Sequence, residues 1–118
     1  MTMTSDELKK RTKKFAIDII RLVDSLPLDR TTNILGKQLI RAATSVGANY
    51  RAACRGRSKA DFISKITIVE EEADECQYWL ELLSETGKSN SESIQILIKE
   101  AGELTAIFTS TGKTAKRK

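Results

Sequence analysis

KADFISKITIVEEEADECQYWLELLS, residues 59–84, is the stretch whose pattern decides the fold. Within it Phe62, Ile66, Val69, Ala73, Cys76, Leu80 and Leu83 step by four and three without a break. That is a heptad seam, the signature of a helix that buries one stripe against other helices. The segment carries no proline and no internal glycine, and its polar residues fall between the seam positions.

The neighbouring sequence reads the same way. Ser58 is placed to cap this third helix, with Asp61 at the position that completes a capping box. Just before it, Gly56 offers a left-handed C-terminal cap for a second helix over 32–55, whose inward positions are Leu35, Leu39, Ala42, Val46, Tyr50 and Ala53. So short a link forces an antiparallel hairpin. The only proline, Pro27, opens a loop through Thr32. Before that loop Leu8, Phe15, Ile19, Leu22, Val23 and Leu26 share one face of a first helix over 5–25, with Thr4 and Glu7 spaced as a capping box. Downstream, Gly87 stops the third helix. A fourth follows over 91–110, its inner face Ile94, Leu97, Ile98, Ala101, Leu104 and Phe108, with Ser89 and Glu92 as a capping box. Residues 111–118 read as a frayed basic tail. The expectation is one all-α domain over residues 1–118, an antiparallel up-down-up-down four-helix bundle.

Composition narrows the chemistry. A chain of 118 residues can bury a core without metals or disulfides. It contains no histidine, which removes the Ser-His-Asp triad, the Cys-His pair, the H-E-x-x-H zinc site and the Glu-x-x-His ligands of di-iron bundles. Two isolated cysteines, Cys54 and Cys76, cannot form a structural zinc site and read as reduced, buried thiols. There is no phosphate-cradling glycine loop and no 18-residue apolar run. Met1–Lys14 is polar and charged, unlike an export signal. These features lead us to expect a cytoplasmic, non-catalytic protein with no cofactor, no metal, no membrane contact and no small-molecule substrate.

The net charge of +4 conceals a strong segregation. From Arg30 to Lys59 the charged residues are Arg30, Lys37, Arg41, Arg51, Arg55, Arg57 and Lys59, with no acidic residue among them. From Asp61 to Glu85, Lys65 is the only cation among Asp61, Glu70, Glu71, Glu72, Asp74, Glu75, Glu81 and Glu85. On a helix, Lys37, Arg41, Arg51 and Arg55 fall within an arc of roughly 80°, opposite the apolar face. This stripe suits a phosphate backbone, pairs with the acidic third helix, or is a solvated face. The hairpin register sets Arg41 level with Ala73, near Glu72 and Asp74. No aromatic interleaves the stripe, so base stacking is not indicated. The third helix also carries a second seam of Ile68, Glu72, Glu75, Trp79 and Leu82. It reads as a subunit contact anchored by Trp79, or as the edge of a wide core. On the second helix Gly36, Ala43, Gly47 and Cys54 form a small-residue face that permits close helix approach.

The run from Leu35 to Arg51, LGKQLIRAATSVGANYR, is distinctive, as are RGRSKADFI (55–63), EEADE (71–75) and WLELL (79–83). Together they resemble the bacterial four-helix-bundle family named for proteins encoded in 23S ribosomal RNA intervening sequences. The likeness spans about Phe15 to Phe108. It implies an up-down bundle assembling into a homopentameric ring. It also implies kinship with the pentameric accessory protein of diversity-generating retroelements, a nucleic-acid-binding partner of a reverse transcriptase. The motif positions here are Gln38, Arg41, Ser45, Asn49, Arg55, Ser58 and Glu72. Gln38, Arg41, Ser45 and Asn49 would suit a polar network between helices or subunits. Two functions stand open at this point: sequence-tolerant RNA or DNA binding by an oligomer, and a protein-interaction scaffold.

Overall fold

The heptad seam of the third helix is the line along which the chain packs. The computed structural model describes residues 3–118, so Met1 and Thr2, the start of the polar stretch read above, lie outside the described residues. Helix α1 spans Ser5–Asp24, α2 Arg30–Cys54, α3 Lys59–Glu85 and α4 Glu92–Arg117. There is no strand among the described residues. Helix α3 packs extensively on both α2 and α4; α1 leans on α2 and touches α4 least. At 27 residues α3 is about 40 Å long, close to the 47 Å long axis of the bundle.

The seam does what its period predicts. Ile66, Val69, Ala73, Cys76, Leu80 and Leu83 are all buried, and Phe62 is half-buried at the end of the row. They meet Leu39, Ala42, Val46, Tyr50 and Ala53 of α2, and Ile94, Leu97, Ala101, Leu104 and Phe108 of α4, in one continuous core. The Tyr50 and Phe108 rings pack 5.3 Å apart at a tilt of 52°. Removing a side chain as enclosed as Leu80 by mutation to alanine would cost roughly 2–5 kcal/mol. Val23, Leu35 and Ile98, expected inside, sit half-buried at the core edge.

Two features of the α1–α2 contact depend on small residues. A Cβ on Gly36 would lie 3.0 Å from a Val23 methyl, and one on Gly47 would lie 3.4 Å from the Thr12 hydroxyl. With buried Ala43, these glycines let α1 approach α2 within the chain. Thr12 itself is fully buried, which its polar character did not suggest. Its hydroxyl donates to the Leu8 carbonyl at 2.8 Å, so α1 satisfies its own buried polar group. Cys54, the last of the small residues, is exposed, whereas Cys76 is buried; only one thiol is sequestered.

Helix ends show where local rules held and where they were displaced. Thr4 and Glu7 form the complete capping box. Glu7 is held below its ordinary carboxylate pKa mainly by the Thr4 backbone N–H, then by the Thr4 hydroxyl. Ser58 accepts from the Asp61 N–H. Helix α2 begins at Arg30, earlier than Thr32, because Asp29 accepts from the Thr32 N–H at 2.8 Å. Gly56 is not left-handed: α2 ends on Arg55 at φ −100°, and the only positive-φ glycine among the described residues is Gly87, at 76°. Gly87 completes a Schellman motif, with Lys88 N–H on the Leu83 carbonyl and Gly87 N–H on Ser84. The Ser89–Glu92 box does not form. Ser91 is the N-cap of α4 without a side-chain cap bond, and the Ser89 hydroxyl pairs with Ser91 instead.

The largest departure is at the C-terminal end. Residues 111–117, expected to fray, continue α4 as helix to Arg117. Nothing in Thr111–Arg117 forbids this. Gly112 is the weakest helix former among them, and a Cβ there would meet Ile66 of α3 at an ordinary contact distance of 3.7 Å. The Thr111 hydroxyl bonds back to the Ile107 carbonyl.

Candidate nucleic-acid interface

The antiparallel topology gathers the ends of all four helices into two poles. At one pole meet the start of α1, the end of α2, the start of α3 and the end of α4. Met3, Tyr50, Lys59, Phe62, Thr114 and Lys118 line one shared pocket there. At the opposite pole the α1–α2 and α3–α4 loops are joined by Lys88 Nζ to Asp29 at 3.2 Å.

The first pole is strongly basic. Arg51, Arg55, Arg57 and Lys59 converge from the α2–α3 hairpin, and Lys113, Lys116, Arg117 and Lys118 from α4. All of these side chains are exposed, and none makes an ion pair among the described residues. Lys9, Lys10 and Lys13 of α1 lie toward the same end. The opposing charges at this pole are Asp6, Glu7 and Asp61. Cations in the last turns of α2 and α4 are favoured locally, because the C-terminal carbonyls of a helix carry partial negative charge. That explains why the helices tolerate them; it does not use up their charge toward solvent.

The four residues of the sequence stripe are divided by the fold. Arg51 and Arg55 belong to the basic pole. Lys37 is exposed but lies about 21 Å along α2 from Arg51. Arg41 is engaged elsewhere. Its guanidinium reaches across to α3, donating to Glu72 at 2.8 Å and to Glu75, with Gln38 as a longer third partner at 3.4 Å. Glu75 in turn accepts from the Trp79 indole N–H at 3.2 Å. Gln38, Arg41, Glu72, Glu75 and Trp79 therefore form one chain of hydrogen bonds between α2 and α3. Hydrogen bonding to Glu72 holds the Arg41 pKa above its ordinary value.

Ser45 and Asn49 form a separate unit: Asn49 donates to both the carbonyl and hydroxyl of Ser45, within α2. Along α3, Ile68 is exposed, while Glu72, Glu75, Trp79 and Leu82 are half-buried. Tyr78, edge-on to Trp79, and Ile34 on α2 are also exposed. The α2–α3 surface is thus an internal ion-pair seam bordered by uncovered apolar side chains. It is distinct from the basic pole.

Comparison with known proteins places this geometry. The family model described as "23S rRNA-intervening sequence protein" matches residues 5–110. The chain belongs to the 23S rRNA-intervening sequence protein family. The crystal structure of a protein of unknown function from the S23 ribosomal protein family of Bacteroides thetaiotaomicron is similar to it, with a TM-score of 0.85 and 34% identity. That match covers 94% of this chain and 99% of the other. The comparison with curated proteins finds no match. The cationic end of α4, residues 111–118, lies beyond the stretch that the family model covers.

No group of three or more His, Cys, Asp or Glu side chains among the described residues is arranged to hold a metal ion. No helix among them is long and apolar enough to cross a membrane. The pole is not legible in the sequence, where residues 111–118 read as a frayed basic tail. Helical continuation is what holds Lys113, Lys116 and Arg117 at the same pole as Arg51 and Arg55.

Proposed function

We propose that this protein binds nucleic acid in a sequence-tolerant way through the basic pole, as a cytoplasmic, non-catalytic oligomer. One observation carries the reading: Arg51, Arg55, Arg57, Lys59, Lys113, Lys116 and Arg117 gather at one end of the bundle, exposed and without ion pairs among the described residues. Charges from the ends of two helices and a hairpin can follow a phosphate backbone without reading bases. Arg41 is not part of this surface. Its role is to lock α2 to α3 through Glu72 and Glu75, the intramolecular use that the hairpin register also allowed.

Self-association rests on a second surface. Ile34, Ile68 and Tyr78 are exposed beside half-buried Trp79 and Leu82 on the α2–α3 face. Covering these side chains in a homo-oligomer, a pentamer if the family likeness extends to assembly, would repeat the basic pole around a ring. Weak phosphate contacts would then add through multivalency.

Two charge-reversal variants test the division of labour. Arg51→Glu with Arg55→Glu is expected to reduce affinity for single-stranded RNA at least tenfold at low salt, leaving helicity and mass by light scattering unchanged. Arg41→Glu is expected to lower stability or shift the mass while a folded fraction keeps its RNA affinity. RNA binding indifferent to the Arg51/Arg55 reversal would refute the pole as the binding surface and put the protein-scaffold reading in front.

A further inference from the structure

The basic pole is not only charged. Between the start of α1, the α2–α3 hairpin and the end of α4 lies a pocket of about 620 Å³, within the range of sites that take small ligands. The buried side chains of Leu8 and Tyr50, with half-buried Phe62, give it an apolar floor; Lys59, Thr114 and Lys118 also line it. Leu8 and Tyr50 are buried in the core, so the floor is fixed, while Phe62 is half-buried. The Tyr50 ring packs against Phe108 in the core. The α2 stripe carries no aromatic, yet the fold brings Tyr50 and Phe62 to the pole where the exposed cations gather.

We propose that this pocket accepts a single unstacked nucleobase of a single-stranded nucleic acid, with the adjoining phosphate held by Lys59 and the neighbouring pole cations. The occupant must combine a flat, largely apolar body with an anionic group. An aromatic and aliphatic floor beneath ammonium groups and a hydroxyl is complementary to that combination. Duplex ends and internal base pairs do not supply it, because their bases are already stacked and paired. The pole would therefore prefer single strands over duplex without reading sequence, since every base has a π-face. This inference rests on the phosphate-binding reading of the pole.

The test compares an oligothymidylate with an abasic deoxyribose-phosphate chain of the same length, both labelled, at one salt concentration and with the full chain. The oligothymidylate is expected to bind roughly tenfold more tightly than the abasic chain. In Phe62→Ser, checked for native helicity, that advantage should vanish while affinity for the abasic chain is kept. Independently, thymidine 5′-monophosphate should shift the amide resonances of Tyr50, Phe62 and Thr114 in the unmutated protein. Equal affinity for the two chains, with no such shifts, would overturn the pocket and leave the pole reading intact. No binding of either chain would instead remove the pole reading, and the pocket with it. Saturation of the pocket by a medium-chain fatty acid, with no preference for bases, would assign it to an acyl carboxylate and overturn the proposal.

Discussion

Helices α1 and α4 are the least intimate neighbours in the bundle, and one arginine spans the gap between them. Arg11 donates through Nε and Nη2 to the two carboxylate oxygens of Glu100, both at 2.7 Å, and through Nη2 to Glu103 at 3.2 Å. Its other terminal nitrogen touches the Met3 sulfur. Arg11 and Glu100 side chains are only about a quarter exposed, at 25% and 24%, so water screens the pair less than it does a free surface pair. A fully exposed ion pair contributes about 0.2–1 kcal/mol, and a charge-assisted hydrogen bond about 1.5–3 kcal/mol before side-chain ordering is deducted. Two-point geometry and partial burial place this pair between those limits, at a coupling of about 1–2 kcal/mol.

The measurement is a double-mutant cycle of Arg11→Met and Glu100→Gln, read by urea unfolding at one fixed protein concentration, because assembly makes apparent stability concentration-dependent. Each single variant should lose about 1–2 kcal/mol, and the double variant clearly less than their sum. A coupling below about 0.3 kcal/mol would refute the reasoning. It would mean that the α1–α4 seam is held by Leu8, Phe15 and Leu97 alone, with Arg11 a solvated decoration.

Three further outcomes follow from particular residues. In the native protein Cys54 should react with a thiol reagent within minutes while Cys76 reacts only on unfolding, since burial pushes the Cys76 thiol up and removes its thiolate; two fast thiols would mean that α3 opens readily. Gly87→Ala should destabilise by about 1 kcal/mol, because φ of 76° is unfavourable for any residue with a Cβ; an unchanged urea midpoint would contradict the Schellman assignment. Asp29 is held below its ordinary pKa of 3.8, chiefly by the Thr32 backbone N–H and further by Lys88. Its depressed native pKa contributes stability that is present above pH 3.8 and is lost as pH falls through the lower, native value. Asp29→Asn should therefore flatten the acid limb of the stability curve, and an unaltered acid limb would show that the cap does not titrate with folding.

How much of this was legible in the sequence differs between core and surface. The α3 seam could be read residue by residue, because period alone decides which positions face inward along an uninterrupted helix. Thr12 stands on the α1 period between Leu8 and Phe15, but its hydroxyl argues against an inward place until the local bond to the Leu8 carbonyl satisfies it. The hairpin register put Arg41 opposite Ala73, and it did reach Glu72. Its second partner is Glu75 and not Asp74, because Glu72 and Glu75 are three apart and share a face, whereas Asp74 points away. The basic pole was hidden for a different reason. Residues 111–117 have neither an apolar period nor a cap, so no local pattern announces that α4 continues through them to Arg117. The separation of Lys37 from Arg51 was visible in the numbering, yet it mattered only once Arg41 between them proved to be engaged by carboxylates.

The most direct test of the central claim is the affinity of the unmutated protein for labelled single-stranded RNA across a salt series, with mass measured by light scattering on the same sample. The account predicts tight binding near 50 mM salt that weakens steeply as salt rises. If the pole engages about four phosphates, log K should fall against log salt with a slope of about −3. Absence of binding at about 50 mM salt by a folded oligomer, or binding with no salt dependence, would contradict it.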